Sequence, residues 1–350
     1  MRLSDFDYEL PAGAIATVGV EPRDSARLLV DGDPPRHLHV HDLPSLVRPG
    51  DVVVLNDTRV LPARVRFTRP TGGSAEVLLL EEEADGWWQA LVRPAAKLAA
   101  GTTATVGDGF GFELGDDLGE GRRLVRPVTG DEVLSGDALL AALDRFGEMP
   151  LPPYLGAPRL DDPERYQTVY SSRPASAAAP TAGLHLTDEL LERIVDAGAT
   201  IARVELVVGL GTFRPIVVED IEDHVMHHER YRIDAGEWAR ITAAERVVAV
   251  GTTSVRALES AAATGELAGR TDLFIRGAYP WRVVDALMTN FHQPRSSLLV
   301  MIDAFIGPRW RRLYELAMDE GYRFLSFGDA MWLERRHVER RHGEPSREGA

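Results

Sequence analysis

The sequence predicts an α/β protein: a larger α/β domain with a smaller all-β barrel domain inserted into it. Three observations carry this. Asp51-Val52-Val53-Val54-Leu55-Asn56 and Val247-Val248-Ala249-Val250 are near-continuous apolar runs, the pattern of strands buried on both faces. Helical periodicity follows such strands in the second half, over Asp188 to Val195 and Val255 to Ala261. From about Arg69 to Thr129 the texture changes to short strands broken by Gly and Asp, the spacing of a small barrel. The larger domain is therefore drawn as 1–68 with 151–350, and the inserted barrel as 69–150.

Composition bounds the function classes. A length of 350 residues suggests about two domains with a real core. The start, Met1-Arg2-Leu3-Ser4-Asp5, lacks the apolar run of a signal peptide, and no stretch approaches the roughly 20 apolar residues of a membrane helix. A soluble, cytoplasmic protein without membrane contact is expected. The absence of cysteine removes disulfides, thiol nucleophiles, thiolate metal sites and cysteine-held iron–sulfur clusters. Lys97 is the only lysine, so Schiff-base chemistry would rest on one residue in a strand-to-loop context. The formal charge of −15 argues against a surface covered by nucleic-acid contacts but leaves room for a local basic groove. The candidates are Arg59-Arg64-Arg66-Arg69, Arg122-Arg123-Arg126, Arg309-Arg311-Arg312 and Arg335-Arg336-Arg340-Arg341, each of which also reads as solvated arginines. The oligomeric state is left open, and a monomer is compatible with the sequence.

In chain order, Phe6 to Pro11 is an extended start and Ala26 to Val30 a buried strand. The strand 51–56 delivers Asn56, Asp57, Thr58 and Arg59 at its carboxyl end, where open α/β sheets tend to bind ligands; the alternative is an Asx turn satisfied by its own backbone. His37, His39 and His41 alternate, which in a strand puts all three on one face; with no other ligand types nearby they read as surface histidines. Within the barrel, Trp87 and Trp88 point to opposite faces, one into the core. Asp137 to Phe146 reads as an amphipathic helix and Met149 to Tyr154, rich in proline, as a rigid extended return.

The stretch Ala177 to Thr187 is the chemical focus. Pro180 and Gly183 punctuate it, Thr187 is an N-cap for the following helix, and Gly198 marks that helix's end. Thr181 and His185 thereby stand just before a helix N-terminus, where unpaired N–H groups favour negative charge. Ile201 to Val208 is a strand ending in Gly209-Leu210-Gly211-Thr212-Phe213, a loop that can bring backbone close to a ligand. His224, His227, His228 and Glu229 are rich in ionisable groups but lack the His-Glu-x-x-His order of zincins, so acid–base or hydrogen-bonding roles rank above metal. Gly251-Thr252-Thr253-Ser254 joins a strand to the helix 255–261 and makes an anion-binding nest without the Walker pattern. Arg256 and Glu259 share that helix's face and could pair. Asp285 to Ser297 ends a strand and opens a helix, with Asn290 and His292 at the junction. Phe324 to Met331, including Asp329, is the last strand and turn, and the tail after Glu334 is charged and expected to fray.

Taken together, Asp5 to Pro11, Arg23 to Leu28, Asn56 to Val60, Ala179 to Thr187, Gly209 to Phe213, Gly251 to Ser260, Thr289 to His292 and Gly328 to Met331 resemble the S-adenosylmethionine:tRNA ribosyltransferase-isomerase family of queuosine biosynthesis, nearly end to end. The resemblance implies S-adenosylmethionine as co-substrate, no metal, and as partner a tRNA carrying 7-aminomethyl-7-deazaguanine. The ribosyl unit is transferred to the aminomethyl group and isomerised to epoxyqueuosine, with release of adenine and methionine. Such chemistry asks the protein for a positioned base, an acid for adenine and a dry pocket. It points to His185 as base or proton carrier, Asp57 or Glu229 as acid or orienting carboxylate, and Arg59 or Arg256 on an anionic group. Thr252, Thr253 and Ser254 would hold the methionine carboxylate or a phosphate. Asn56, Thr181, Gly183, Thr187, Gly211, Thr212, His224, His227, Asn290, His292 and Asp329 complete the expected binding set.

The chain departs from the family pattern at Val207, where the family usually has His, at Leu186, usually aromatic, at Gly277-Ala278, usually Pro-Gly, and at Arg295, usually Lys. Two other readings compete: an S-adenosylmethionine enzyme with a small-molecule acceptor, and a non-catalytic RNA- or nucleoside-binding protein. Fold alone does not separate them, because function sits in the site.

Overall fold

The computed structural model describes residues 1–119, 121–156, 160, 162–209 and 216–335. Its centre is a nine-stranded sheet in the order Ala268–Thr271, Glu229–Arg232, Thr200–Leu206, Asp51–Asn56, Arg246–Val250, Ala286–Asn290, Ala330–Glu334, Arg27–Val30, Arg36–His39. The neighbours from Thr200–Leu206 to Ala286–Asn290 run parallel, so their carboxyl ends open on one side. Antiparallel pairs flank them on both sides.

The apolar runs are continuous because both faces are covered. Val52, Val54, Val247, Ala249 and Leu287 join one core with residues of the helices Thr252–Thr264, Ser297–Ile306 and Arg309–Asp319. Their alternates Val53, Leu55, Val248, Val250, Ala286 and Met288 join the other, under the helix Asp188–Asp196 and the 3-10 segment Val40–Ser45. A period of two thus divides each strand between two apolar layers. At the amino ends of these strands Arg246 closes the sheet. Its guanidinium donates to the buried Asp51 carboxylate at 2.6 Å and to Glu334 at 2.9 Å.

A second, eight-stranded antiparallel sheet runs through Gly147–Glu148, Arg64–Thr68, Ser74–Glu82, Trp88–Arg93, Arg122–Thr129, Phe110–Gly119 and Thr103–Gly107, with Glu132–Val133 alongside Arg122–Thr129. It has its own core, to which the helix Gly136–Phe146 contributes Leu139 and Leu143. Arg64–Thr68 pairs with Ser74–Glu82, so this sheet begins before residue 69. Trp88 is buried, whereas Trp87 is half-buried with the Arg126 guanidinium 4.8 Å above its ring.

Several local expectations need correction. The helix expected from Val255 begins at Thr252, because Gly251 lets the backbone turn straight from the strand. The last strand is Ala330–Glu334 and follows the Gly328-Asp329 turn, with Phe324 making only an isolated bridge to Ile15. Pro153–Leu155 forms a 3-10 turn within the expected extended return. The histidines 37, 39 and 41 do not continue one strand. His39 ends it, His41 sits in the next turn with its ring stacked on His39 at 5.2 Å, and His37 Nδ1 meets the Tyr322 hydroxyl at 2.8 Å. His39, His41 and Asp42 bring ligand atoms within 4.8 Å of one another. With ring planes only 6° apart, the in-plane lone pairs run side by side instead of converging on one ion. No helix among the described residues is long and apolar enough to cross a membrane.

Candidate active site

The carboxyl ends of Arg246–Val250 and Ala286–Asn290 open into a cavity with about 650 Å³ of empty space measured to its mouth. Three chain segments build its walls. Gly251, at φ +86°, turns the first strand into the helix Thr252–Thr264, whose opening residues Thr252 and Thr253 line the cavity. No side chain caps that helix, so its first N–H groups remain available to a ligand. From the next strand come Thr289, Asn290 and His292, then Ser296, whose hydroxyl accepts from Leu299 N at 3.2 Å and starts the helix Ser297–Ile306. The facing wall is the Ala179-to-Ala182 turn with Thr181. Gly183 is required in that turn, since a Cβ there would lie 1.9 Å from the Tyr170 hydroxyl.

His185 and Asn290 form the polar centre. Asn290 Nδ2 donates to the Leu325 carbonyl at 2.9 Å, which fixes which end of the amide is nitrogen. The same Nδ2 lies 3.1 Å from His185 Nε2 and must donate to it, so His185 carries its proton on Nδ1. Asn290 Oδ1 is left buried with no partner, as is Thr253 Oγ1. Both residues line the cavity, and two orphaned polar atoms on residues that border one space call for a polar ligand to satisfy them. Burial, with Arg165 and Arg323 adding to it, pulls the His185 imidazole down to about 4, and burial pulls His292 down to about 3. Each is therefore neutral near pH 7. His292 borders the cavity and places Nε2 3.0 Å from the Thr289 hydroxyl, whereas His185 meets the cavity only through Asn290.

The other expected residues are distributed differently. Asn56 clamps the neighbouring strand, donating to Leu206 O at 3.0 Å and accepting from Leu206 N at 3.1 Å. Asp57 accepts from the Ser172 hydroxyl at 2.8 Å and does not line the cavity. Arg59 pairs with Glu164 and lies in a separate groove. Ser254 donates to Val250 O at 2.7 Å, so only the first two hydroxyls of the nest face the cavity. Thr187 caps its helix by accepting from Leu190 N at 3.1 Å. Asp329 ties the last turn together, accepting from Arg27 N at 2.9 Å and Arg323 N at 2.8 Å. His224 rests edge-on against Phe274 at 5.4 Å, and burial, with His227 beside it, lowers its pKa. Gly211 and Thr212 lie outside the described residues.

Arg256 does not pair with Glu259. Its guanidinium bonds Glu229 in a buried ion pair and reaches the Thr271 carbonyl at 3.3 Å. Glu229 also accepts from Gly209 N at 3.3 Å. Glu259 instead accepts from the backbone N–H groups of Arg282, Val283 and Val284 at 2.9 to 3.0 Å, pinning the loop before the Ala286–Asn290 strand. That role has no local sequence signal, since the partners are backbone groups more than 20 residues away. Tyr154 and Ser326, bonded to each other, also line the cavity. The proline-stiffened approach to Tyr154 is the one signal that could have pointed there.

Among the departures, Val207 is buried beside the antiparallel sheet, Leu186 fills the core, and Arg295 pairs with Asp7 at 2.5 Å.

The family model described as "Queuosine biosynthesis protein" matches residues 3–333. A relative from Rubrobacter xylanophilus named S-adenosylmethionine:tRNA ribosyltransferase-isomerase is 49% identical, covering 95% of this chain and 98% of its own. A relative of the same name from Synechococcus elongatus is 48% identical, covering 95% and 96%. The crystal structure of S-adenosylmethionine tRNA ribosyltransferase from Thermotoga maritima is 32% identical, with a TM-score of 0.52, covering 94% of this chain and 99% of that one.

Proposed function

The chain belongs to the queuosine biosynthesis protein family, and we propose on that premise that it is an S-adenosylmethionine:tRNA ribosyltransferase-isomerase acting on 7-aminomethyl-7-deazaguanine in tRNA. S-adenosylmethionine is the co-substrate. The supporting observation is the cavity at the carboxyl ends of the parallel strands, where Thr253 Oγ1 and Asn290 Oδ1 are buried without partners beside an uncapped helix N-terminus. An amino-acid carboxylate suits the Thr252–Thr253 N–H groups and hydroxyl. A donor such as an adenine amino group or a ribose hydroxyl suits Asn290 Oδ1.

When bound, the co-substrate supplies a sulfonium that acidifies the neighbouring carbon and the leaving groups adenine and methionine. The protein's own work is then positioning and proton handling. Of the two neutral imidazoles, His292 reaches the cavity wall and is the better placed to take a proton. His185 holds Asn290 and is proposed as a positioning residue or a proton carrier behind it. Glu229 and Arg256 face away from the cavity floor and are proposed to order the Gly209 approach. We read residues 1–68 and 151–350 as the catalytic domain and 69–150 as an inserted barrel, to which the strand Arg64–Thr68 also belongs, in a cytoplasmic enzyme.

The test is incubation of purified protein with S-adenosylmethionine and tRNA carrying the deazaguanine, followed by mass spectrometry. Adenine, methionine and epoxyqueuosine together are expected. Adenine without a modified nucleoside would point to another acceptor, and no adenine despite proven binding would sink the catalytic reading.

A further inference from the structure

The two sheets face each other across a second cleft, larger than the first, with about 1110 Å³ of empty space measured to its mouth. The antiparallel sheet gives it Glu81, Leu91 and Arg122; the α/β body gives it Gly209, Met226 and Glu229. Two polar atoms on the antiparallel wall are buried without hydrogen-bond partners, Glu81 Oε1 and Arg122 Nε. Glu81 is compensated in charge, because its Oε2 accepts from Arg270 at 3.0 Å, yet Arg230 stands 3.7 Å from Oε1, too far for a hydrogen bond. The carboxylate is therefore held in place with one acceptor oxygen unused. Arg122 has no ion-pair partner among the described residues.

The cleft and the cavity already described are neighbours. A small space lined by Met226, Arg256 and Leu298 lies between them, sharing Leu298 with the first cavity and Met226 with the cleft. The buried Glu229–Arg256 pair spans the same divide, its carboxylate in the cleft and its guanidinium on the connecting space. A ligand in the cleft and one in the cavity would thus lie on either side of the layer that holds Met226 and Leu298.

The lining selects a chemical class. Leu91 and Met226 offer apolar surface for a flat ring, and Val225, 82% exposed, stands at the rim. A free carboxylate oxygen is an acceptor, which matches a guanine-type edge with its N1–H and N2–H₂ donors and rejects the acceptor on an adenine edge. An unpaired arginine suits a sugar or phosphate of the same strand.

We propose that this cleft is the acceptor pocket: a guanine-type base turned out of an RNA strand lies against Leu91 and Met226, with Glu81 reading its N1–H/N2–H₂ edge and its 7-substituent directed past Glu229 toward the first cavity. This rests on the reading that the protein acts on a deazaguanine nucleotide. A base must leave its stack to lie against Leu91 and Met226, which costs least in a single-stranded loop.

The test uses the full chain and two RNA hairpins, one with 7-aminomethyl-7-deazaguanine in the loop and one with adenine there. Hairpin affinities are measured by fluorescence anisotropy and S-adenosylmethionine affinity by calorimetry. Wild type should prefer the deazaguanine hairpin. Glu81→Gln should lose about ten- to hundredfold of that preference, as expected for one hydrogen bond to a charged acceptor, while S-adenosylmethionine affinity is kept. Arg122→Gln should weaken both hairpins alike. An unchanged preference in Glu81→Gln, or no preference in wild type, overturns the assignment. Should Glu81→Gln also lose S-adenosylmethionine binding and so report a misfolded chain, Leu91→Trp takes its place. It fills the cleft from the wall, and retained hairpin binding would overturn the assignment. Product formation by wild type with preference intact in Glu81→Gln removes the pocket and leaves the function. Selective hairpin binding without product removes the function and leaves the pocket.

Discussion

Replacing Glu229 by Gln separates a structural from a catalytic role for the buried ion pair. Both side chains are 3% exposed, and among the described residues Arg256 has only the Thr271 carbonyl as a further partner, its Nε having none. Glu229→Gln leaves that guanidinium charged, buried and uncompensated, for which a loss of about 3–5 kcal/mol is expected. At roughly 1.5 °C per kcal/mol for a chain of 350 residues this lowers Tm by about 4–7 °C. Adding Arg256→Met removes the stranded charge while keeping an unbranched apolar side chain, so the double variant should recover most of the lost stability. Thermal denaturation of the wild type, both single variants and the double variant completes the cycle, with turnover assayed well below the lowest Tm. A Glu229→Gln protein melting within 2 °C of wild type would refute the energetic reasoning. If the double variant regains stability and turnover together, Glu229 is not an acid in the reaction; stability without turnover would restore that role.

Two further outcomes follow from the cavity. Folded His185 and His292 stand at about 4 and about 3, below the 6.5 of an unfolded imidazole. As pH falls from about 6.5 to 4 the unfolded chain therefore binds more protons than the native one. Stability is full above about 6.5, declines by on the order of several kcal/mol through that window, and levels off below about 3. Melting curves between pH 5 and 7 should show a slope that is reduced in His185→Gln, and equal slopes would contradict the buried neutral imidazole. Thr253→Val removes a hydroxyl with no partner in the free protein, so it should leave Tm unchanged or raise it while weakening S-adenosylmethionine by about two- to twelvefold, one net hydrogen bond. Calorimetric titration reading an unchanged Kd would exclude that hydroxyl from the binding site.

What could be read in the sequence was what depends on local pattern. The apolar runs 52–55 and 247–250 identify central strands because burial on both faces leaves no room for alternation. Thr187 and Gly251 were legible because caps and left-handed turns restrict residue type at one position. Partners set by tertiary distance were not legible. Spacing made Glu259 a helix-face partner for Arg256, but the preference for such a pair is a few tenths of a kcal/mol. Burial with three backbone N–H groups outweighs it. Asn56 carries a binding motif's chemistry yet spends both ends of its amide on Leu206, a use visible only once strands 51–56 and 200–206 are neighbours. The antiparallel flanks at Glu229–Arg232 and Ala268–Thr271 are not legible in the sequence because polar, partly exposed strands carry little periodic signal.

The way the sheet is closed bears on how the chain is made. The hairpin Arg27–Val30 with Arg36–His39 joins the sheet only across Ala330–Glu334, and the bond from Arg27 N to Asp329 spans 302 positions of sequence. During synthesis the hairpin can form early, but it has no neighbouring strand in the sheet until nearly the whole described chain has emerged. Val30, Leu28 and their neighbours are then apolar surface awaiting a late partner. A contact of such sequence separation slows folding and extends the interval in which a nascent chain can pair wrongly. The production of this protein is thus most exposed to chaperone supply and translation arrest in the stretch just before its last described strand, a vulnerability unrelated to the cavity proposed to hold S-adenosylmethionine.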